Sequence, residues 1–204
     1  MPMIKILILH AKHEVKEIRA NAFLSLISIS SSENTFSYML ISAGVVDVVK
    51  EMLMQRNSSQ ICQACLLLSN LVASGTDVIT TLWNLGIYDQ VQQLLRDDNI
   101  YIIKEVVWII QNSFFIATEL QVEDLLSKGL LQLTIDLLHI KDPSLQIHVT
   151  KFLGKFLIRS KDFINEELKE RIKEKLYEAK EIDLLVMHPN KEISELALKL
   201  INIL

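Results

Sequence analysis

The sequence predicts an all-α protein, a right-handed α-solenoid built from repeated three-helix units. The chain of 204 residues is 50% hydrophobic but holds only 5 Gly and 3 Pro, too few turn-forming residues for a sandwich or a barrel. This high apolar fraction also excludes a disordered chain. Three of the glycines, Gly44, Gly86 and Gly129, are spaced 42 and 43 residues apart, which indicates a repeated unit.

The same elements recur in the same order around each glycine. Similar apolar segments follow the three glycines, namely GVVDVVKEML, GIYDQVQQLL and GLLQLTIDLL. A small or β-branched residue then marks a later helical run in every period: Ala22, Ala64, Val106 and Val149. Polar breakers at 56–60, 96–99 and 141–144 precede these runs. Each unit is therefore predicted as a short helix ending at glycine, a helix of about ten residues, a loop and a longer third helix, with the glycine in a left-handed turn.

The last part of the chain departs from this pattern. It lacks the glycine and inserts the charged segment EELKERIKEKLYEAKE, although its final helix again resembles the third helix of a unit. Because the units are similar and few polar breaks separate them, we predict one domain over residues 1–204. Its predicted units are 1–44, 45–86, 87–129, 130–160 and 161–204.

Composition narrows the possible functions. A formal net charge of −4 disfavours a broad nucleic-acid surface, so no nucleic-acid partner is expected. The apolar runs are too short for a membrane helix, and two cysteines make no disulfide framework. Cys62 and Cys65 form a CxxC without a second pair of ligands, so packing is the better interpretation. We therefore predict a non-enzymatic protein of the cytoplasm and nucleus, without membrane insertion, catalytic residues, metal or cofactor.

The third helices carry the candidate binding face. Side chains at i, i+3 and i+7 share a helix face, and this rule groups Asn21, Leu24 and Ser28; Gln63, Leu66 and Asn70; Glu105, Trp108 and Asn112; and His148, Lys151 and Lys155. An Asn amide can pair with both backbone groups of an extended peptide, and a Trp can hold a lysine stem by cation–π attraction. Glu105 would meet the ammonium group. Alternatively, Trp108 packs against a neighbouring helix and the Asn side chains cap or are solvated locally.

Several segments resemble the C-terminal half of the importin-α family of armadillo-repeat proteins. The stretch LSNLVASGTDVITTLWNLGIYDQVQQLL is similar to one unit of that family, and KEVVWIIQN resembles its third helix with the WxxxN motif. GLLQLTIDLLHIKDPSLQI resembles the following unit, and EAKEIDLLVMHPNKEISELALKLINIL the last one. Together these segments extend the resemblance over nearly the whole chain.

The resemblance implies a nuclear import adaptor that binds nuclear localisation signals, which are extended basic peptides of cargo proteins. It also implies importin-β or the export receptor as partners. Most of the predicted peptide-binding residues match the family's minor signal-binding site. Two depart from it: Gln63 stands where the family usually has a carboxylate, and Leu66 stands where it usually has a Trp. The predicted residues are Glu105, Trp108, Asn112, Asn70, Ser69, Gln63 and Leu66.

Alternatives remain at three places. The absence of a Trp at Leu66 and the basic series of the fourth unit also suit a general armadillo protein–protein interaction scaffold that has lost signal-peptide binding. The basic series His148, Lys151, Lys155 and Arg159 is either a solvated helix face or a contact for an acidic part of a ligand. The charged helix after it is either solvated or a partner surface.

Overall fold

The computed structural model describes residues 2–204; residue 1, where the first predicted unit begins, lies outside them. In this range the chain forms fourteen α-helices and one 3-10 helix, with no strand. It divides into two compact units, Met1–Ala117 and Thr118–Leu204, here called unit 1 and unit 2. The predicted organisation as one domain of five repeats stays a prediction.

Unit 1 repeats the predicted order of a short helix, a second short helix and a longer third helix. Its helices are α1 (Pro2–His10), α2 (Lys16–Ser30), α3 (Asn34–Ser42), α4 (Val45–Leu53), α5 (Ser58–Val72), α6 (Thr76–Asn84), α7 (Ile87–Leu94) and α8 (Ile100–Ile116).

Unit 2 continues the order once and then varies it. Its elements are α9 (Glu119–Ser127), α10 (Leu130–Asp136), a 3-10 helix (Leu137–His139), α11 (Pro143–Ser160), α12 (Glu166–Tyr177), α13 (Lys180–Val186) and α14 (Lys191–Ile203). The charged segment forms α12, which buries Leu168, Ile172 and Leu176 on one side.

The three periodic glycines adopt the conformation that their spacing predicts. Gly44, Gly86 and Gly129 have φ of 90°, 72° and 72°, and they are the positive-φ glycines of the described chain. A left-handed residue ends one helix and redirects the chain into the next, and a side chain there would be strained. The glycines therefore set the corner between the first and second helices of the three repeats that contain them.

Polar caps define where the long third helices begin. The side chains of Asn57, Asn99 and Asp142 accept hydrogen bonds from backbone N–H groups in the first turns of α5, α8 and α11. Such caps satisfy donors that have no partner inside the helix. The predicted polar breakers thus contain the residue that starts each helix.

The core of unit 1 is formed largely by its third helices. In this unit α5 contacts both α2 and α8. The predicted small or β-branched markers Ala22, Ala64 and Val106 are all buried, which allows the helix backbones to approach each other closely. This packing holds α2, α5 and α8 side by side and fixes which of their side chains remain exposed.

Glu119 ties the start of α9 to the segment before α12 in unit 2. Its Oε1 accepts from the backbone N–H of Ile164 at 2.7 Å, and its Oε2 accepts from that of Asn165 at 2.9 Å. These backbone donors lower the pKa of Glu119. Glu119 thereby anchors a segment of the chain that has no periodic glycine.

Candidate functional site

A row of exposed apolar side chains runs across the third helices of unit 1. Leu24 on α2, Leu66 on α5 and Trp108 on α8 stand at the predicted equivalent positions and are 48%, 42% and 45% exposed. The residue before each of them, Phe23, Cys65 and Val107, is buried in the core. Trp108 is therefore not a core residue, although part of its ring is covered by the protein.

Asparagine side chains on this face are held by serines of the preceding third helix. Nδ2 of Asn70 donates to Oγ of Ser30 at 3.0 Å. In the same way, Nδ2 of Asn112 donates to the main-chain oxygen of Ser69 at 3.1 Å and to its Oγ at 3.0 Å. These bonds fix each amide and leave its Oδ1 free to accept from a ligand; Asn70 also has a second N–H that the bond to Ser30 does not use.

Ser69 has a supporting position in this arrangement. The sequence predicts it among the peptide-contacting residues, and the structure places it buried, at 6% exposure, beneath Asn112. Any effect of Ser69 on a ligand would pass through the orientation of that amide.

Glu105 is a half-buried carboxylate one turn before Trp108 on α8. It forms no ion pair or hydrogen bond with any residue in the part of the chain that the structure describes. Burial raises its pKa, and its charge in turn contributes to the raised pKa of Cys62 and Cys65 on α5. The carboxylate therefore lies close to α5, and an approaching cation would relieve its unfavourable burial.

The position on α5 that is equivalent to Glu105 carries no negative charge. Gln63, which corresponds to Glu105, borders a cleft of about 240 Å³ between α2 and the start of α5. This cleft is also lined by Lys16 and Arg19, two cations that the sequence analysis did not single out. The sequence does contain a sign of this cleft, since the two cations are not repeated. The residues 42 positions after Lys16 and Arg19 are Ser58 and Ile61, which carry no charge.

The paired cysteines are packed and free. Cys65 is buried and Cys62 is half-buried. Burial is the main reason that the pKa of each thiol is raised. Within residues 2–204 no group of three or more His, Cys, Asp or Glu side chains could hold a metal ion. None of the helices in that range is long and apolar enough to cross a membrane.

The predicted basic series on α11 is partly neutralised inside unit 2. Lys151 pairs with Glu192 of α14 at 2.8 Å. The guanidinium of Arg159 lies 4.8 Å from the ring centre of Phe163 and near the charges of Glu119 and Asp162. Burial and the nearby Lys155 lower the pKa of His148, which favours its neutral form. This face therefore presents less positive charge than its sequence indicates.

Solved structures of other proteins resemble this chain and support its fold. No protein-family model matches the chain, and no curated protein does. Solved structures of designed proteins do match it over nearly its whole length. The designed armadillo repeat protein YIII(Dq.V1)4CPAF in complex with peptide (KR)4 is 22% identical, with a TM-score of 0.81 over 99% of this chain and 80% of its own.

Two further designed proteins agree with this match. The designed armadillo repeat protein YIII(Dq)4CqI has a TM-score of 0.78 at 20% identity, covering 98% of this chain and 81% of its own. A computationally designed armadillo repeat protein for modular peptide recognition has a TM-score of 0.68 at 19% identity, covering 98% and 99%. The chain therefore has the all-α armadillo-repeat fold, which confirms the fold class predicted from its sequence.

Proposed function

We propose that this protein is an importin-α-like adaptor module that binds extended basic peptides across the third helices of unit 1. The observation that carries the proposal is the half-buried, unpaired carboxylate of Glu105 one turn from the exposed ring of Trp108. A lysine or arginine side chain supplies both a cation for the carboxylate and an apolar stem for the ring.

The asparagines contribute the backbone contacts. The bonds to the serines orient the amides of Asn70 and Asn112, and their Oδ1 atoms accept from N–H groups of the peptide. An extended peptide without a sheet partner has such N–H groups to satisfy. Leu24 and Leu66 offer apolar contact to side chains that lie between the polar anchors.

Structural neighbours support peptide binding as the general activity. One was solved in complex with peptide (KR)4, and another was designed for modular peptide recognition. The finer proposal rests on the resemblance of the WxxxN helix to importin-α. It makes nuclear localisation signals of cargo proteins the ligands, importin-β or the export receptor the protein partners, and the cytoplasm and nucleus the location.

A titration tests the peptide-binding proposal. A fluorescein-labelled lysine-rich peptide should bind saturably, and Glu105→Gln should weaken it about tenfold, while Glu33→Gln should leave it unchanged. Both substitutions remove one negative charge, but Glu33 is an exposed residue before α3. Absence of saturable binding below about 1 mM, which corresponds to about −4 kcal/mol, contradicts the proposal.

The pH dependence of that binding gives a second readout. Only the ionised carboxylate attracts a cation, so affinity should rise with pH as Glu105 loses its proton. Because burial raises its pKa, the rise should be centred above the ordinary glutamate value of 4.5. In Glu105→Gln the rise should disappear. If the affinity of the wild-type protein does not change with pH above 4.5, Glu105 does not bind the cation of the peptide.

A scaffold that has lost signal-peptide binding is the second candidate. Leu66 and Gln63 favour it, because they remove an aromatic wall and a charge from the neighbouring position, and Lys16 and Arg19 lie beside Gln63. Affinity purification of the tagged chain discriminates between the two. Recovery of importin-β or the export receptor supports the adaptor, whereas recovery of cytoskeletal or membrane-attached proteins alone supports the scaffold.

A further inference from the structure

The cleft between α2 and α5 is suited to a negatively charged group, whereas Glu105 is suited to a positively charged one. Its polar lining consists of Lys16 and Arg19 together with Asn57, Ser59, Gln60 and Gln63, above an apolar floor. None of the described residues that line the cleft carries a carboxylate. Its volume of about 240 Å³ is below the range typical of small-molecule sites, so it suits one side chain of a larger ligand.

Both cations remain able to bind an anion. Lys16 is exposed and forms no ion pair or hydrogen bond within the described residues. Nη1 of Arg19 donates to the main-chain oxygens of His13 at 2.7 Å and Glu14 at 3.2 Å, which holds the guanidinium in place. A guanidinium has five donor hydrogens, so others stay available for a carboxylate.

We propose that the peptide bound on this face is bipolar, with an acidic side chain in the α2–α5 cleft and a basic side chain at Glu105. This inference rests on the proposed function and narrows its ligand class. A uniformly basic peptide would place a cation beside Lys16 and Arg19, and this repulsion is the physical basis of the discrimination.

The repeat geometry fixes the spacing between the two charges. Gln63 and Glu105 are equivalent residues on adjacent helices, and packed helices lie about 8–10 Å apart. An extended chain advances about 3.3 Å per residue. Successive side chains of an extended chain point to opposite sides, so two side chains that both face the protein are an even number of residues apart. The acidic and basic residues of the ligand should therefore be two positions apart, with the long basic side chain covering the rest of the distance. Their order along the ligand depends on its direction across the helices.

Three labelled peptides of equal length test the proposal by fluorescence polarisation. They carry Glu-x-Lys, Lys-x-Glu and Lys-x-Lys in an otherwise identical neutral sequence. One of the two bipolar peptides should bind at least about tenfold more tightly than the doubly basic one. Lys16→Gln should reduce that preference to about twofold, and Gln63→Glu should reverse it towards the doubly basic peptide.

Lys5→Gln is the matched control, because Lys5 is exposed on α1, lies outside the cleft and has the same charge. It should retain the full preference for the bipolar peptide. Equal or tighter binding of the doubly basic peptide overturns the bipolar ligand while leaving peptide binding intact. Equal loss of preference in Lys5→Gln and Lys16→Gln also overturns it, since net charge would then be the cause. If none of the peptides binds, the proposed function itself fails.

Discussion

Replacing Trp108 with alanine should weaken binding of a lysine-containing peptide about tenfold. Trp108 is 45% exposed, and a tryptophan side chain has at most about 250 Å² of surface to bury, so about 110 Å² remains open to a ligand. A lysine stem that covers half of this area removes about 55 Å² from water, worth about 1.4 kcal/mol at about 25 cal/mol per Å². That free energy corresponds to a tenfold change in Kd.

Intrinsic fluorescence provides the assay. Trp83 is half-buried on α6 with its ring centre 5.6 Å from that of Tyr88, and Trp83→Phe leaves Trp108 as the reporting tryptophan. In this background, peptide binding should change the Trp108 emission with the same Kd that polarisation gives. Polarisation then compares Trp108→Ala with the parent protein.

Leu85→Ala is the control for loss of exposed apolar surface. Leu85 is 41% exposed, close to Trp108, but it lies at the turn after α6 instead of on a third helix. It should leave peptide affinity unchanged. If Trp108→Ala remains folded by circular dichroism and binds within twofold of the parent protein, the aromatic ring does not contact the ligand and the reasoning is refuted.

Three further predictions concern stability and thiol chemistry. Gly129→Ala should lower the free energy of unfolding by about 1–2 kcal/mol, because Gly129 has a positive φ. Gly154→Ala should raise it by about 0.5–1 kcal/mol, because Gly154 lies inside α11 with open space at its Cβ. Urea titrations measure both changes, and equal effects would contradict the prediction. The lowered pKa of Glu119 stabilises the fold above about pH 4.5, and this contribution is lost as pH falls through the lower folded-state value, so Glu119→Gln should show a shallower acid-unfolding profile than the wild type. Burial and the charge of Glu105 raise the pKa of Cys62, so Glu105→Gln should speed its reaction with a thiol reagent at pH 8; an unchanged rate would place the carboxylate farther away.

Much of the fold could be predicted because single residues determine its corners. Only glycine readily adopts the left-handed conformation of Gly44, Gly86 and Gly129, so their spacing reveals the period directly. Polar breakers reveal the helix starts for a similar reason, since Asn57 and Asn99 cap the helices that follow them. These are local effects, and the sequence displays them without any knowledge of packing.

The site was less accessible to sequence reasoning because it depends on contacts between helices. Spacing places Asn112 and Trp108 on one face of α8, but only packing shows that a serine 43 residues earlier binds the amide donor. The cleft at Lys16 and Arg19 likewise forms from two helices whose separation the sequence does not specify. The burial of Glu105 also depends on how closely α5 approaches.

The serine–asparagine bonds also determine how repeats of this chain can be exchanged. Each donor amide belongs to one third helix and its acceptor to the preceding one, as in Asn112 with Ser69 and Asn70 with Ser30. A graft joined between α5 and α8 therefore separates an amide from the residue that orients it. A transplanted recognition helix should keep its specificity only when the acceptor serine travels with it, so the smallest portable module spans two successive third helices.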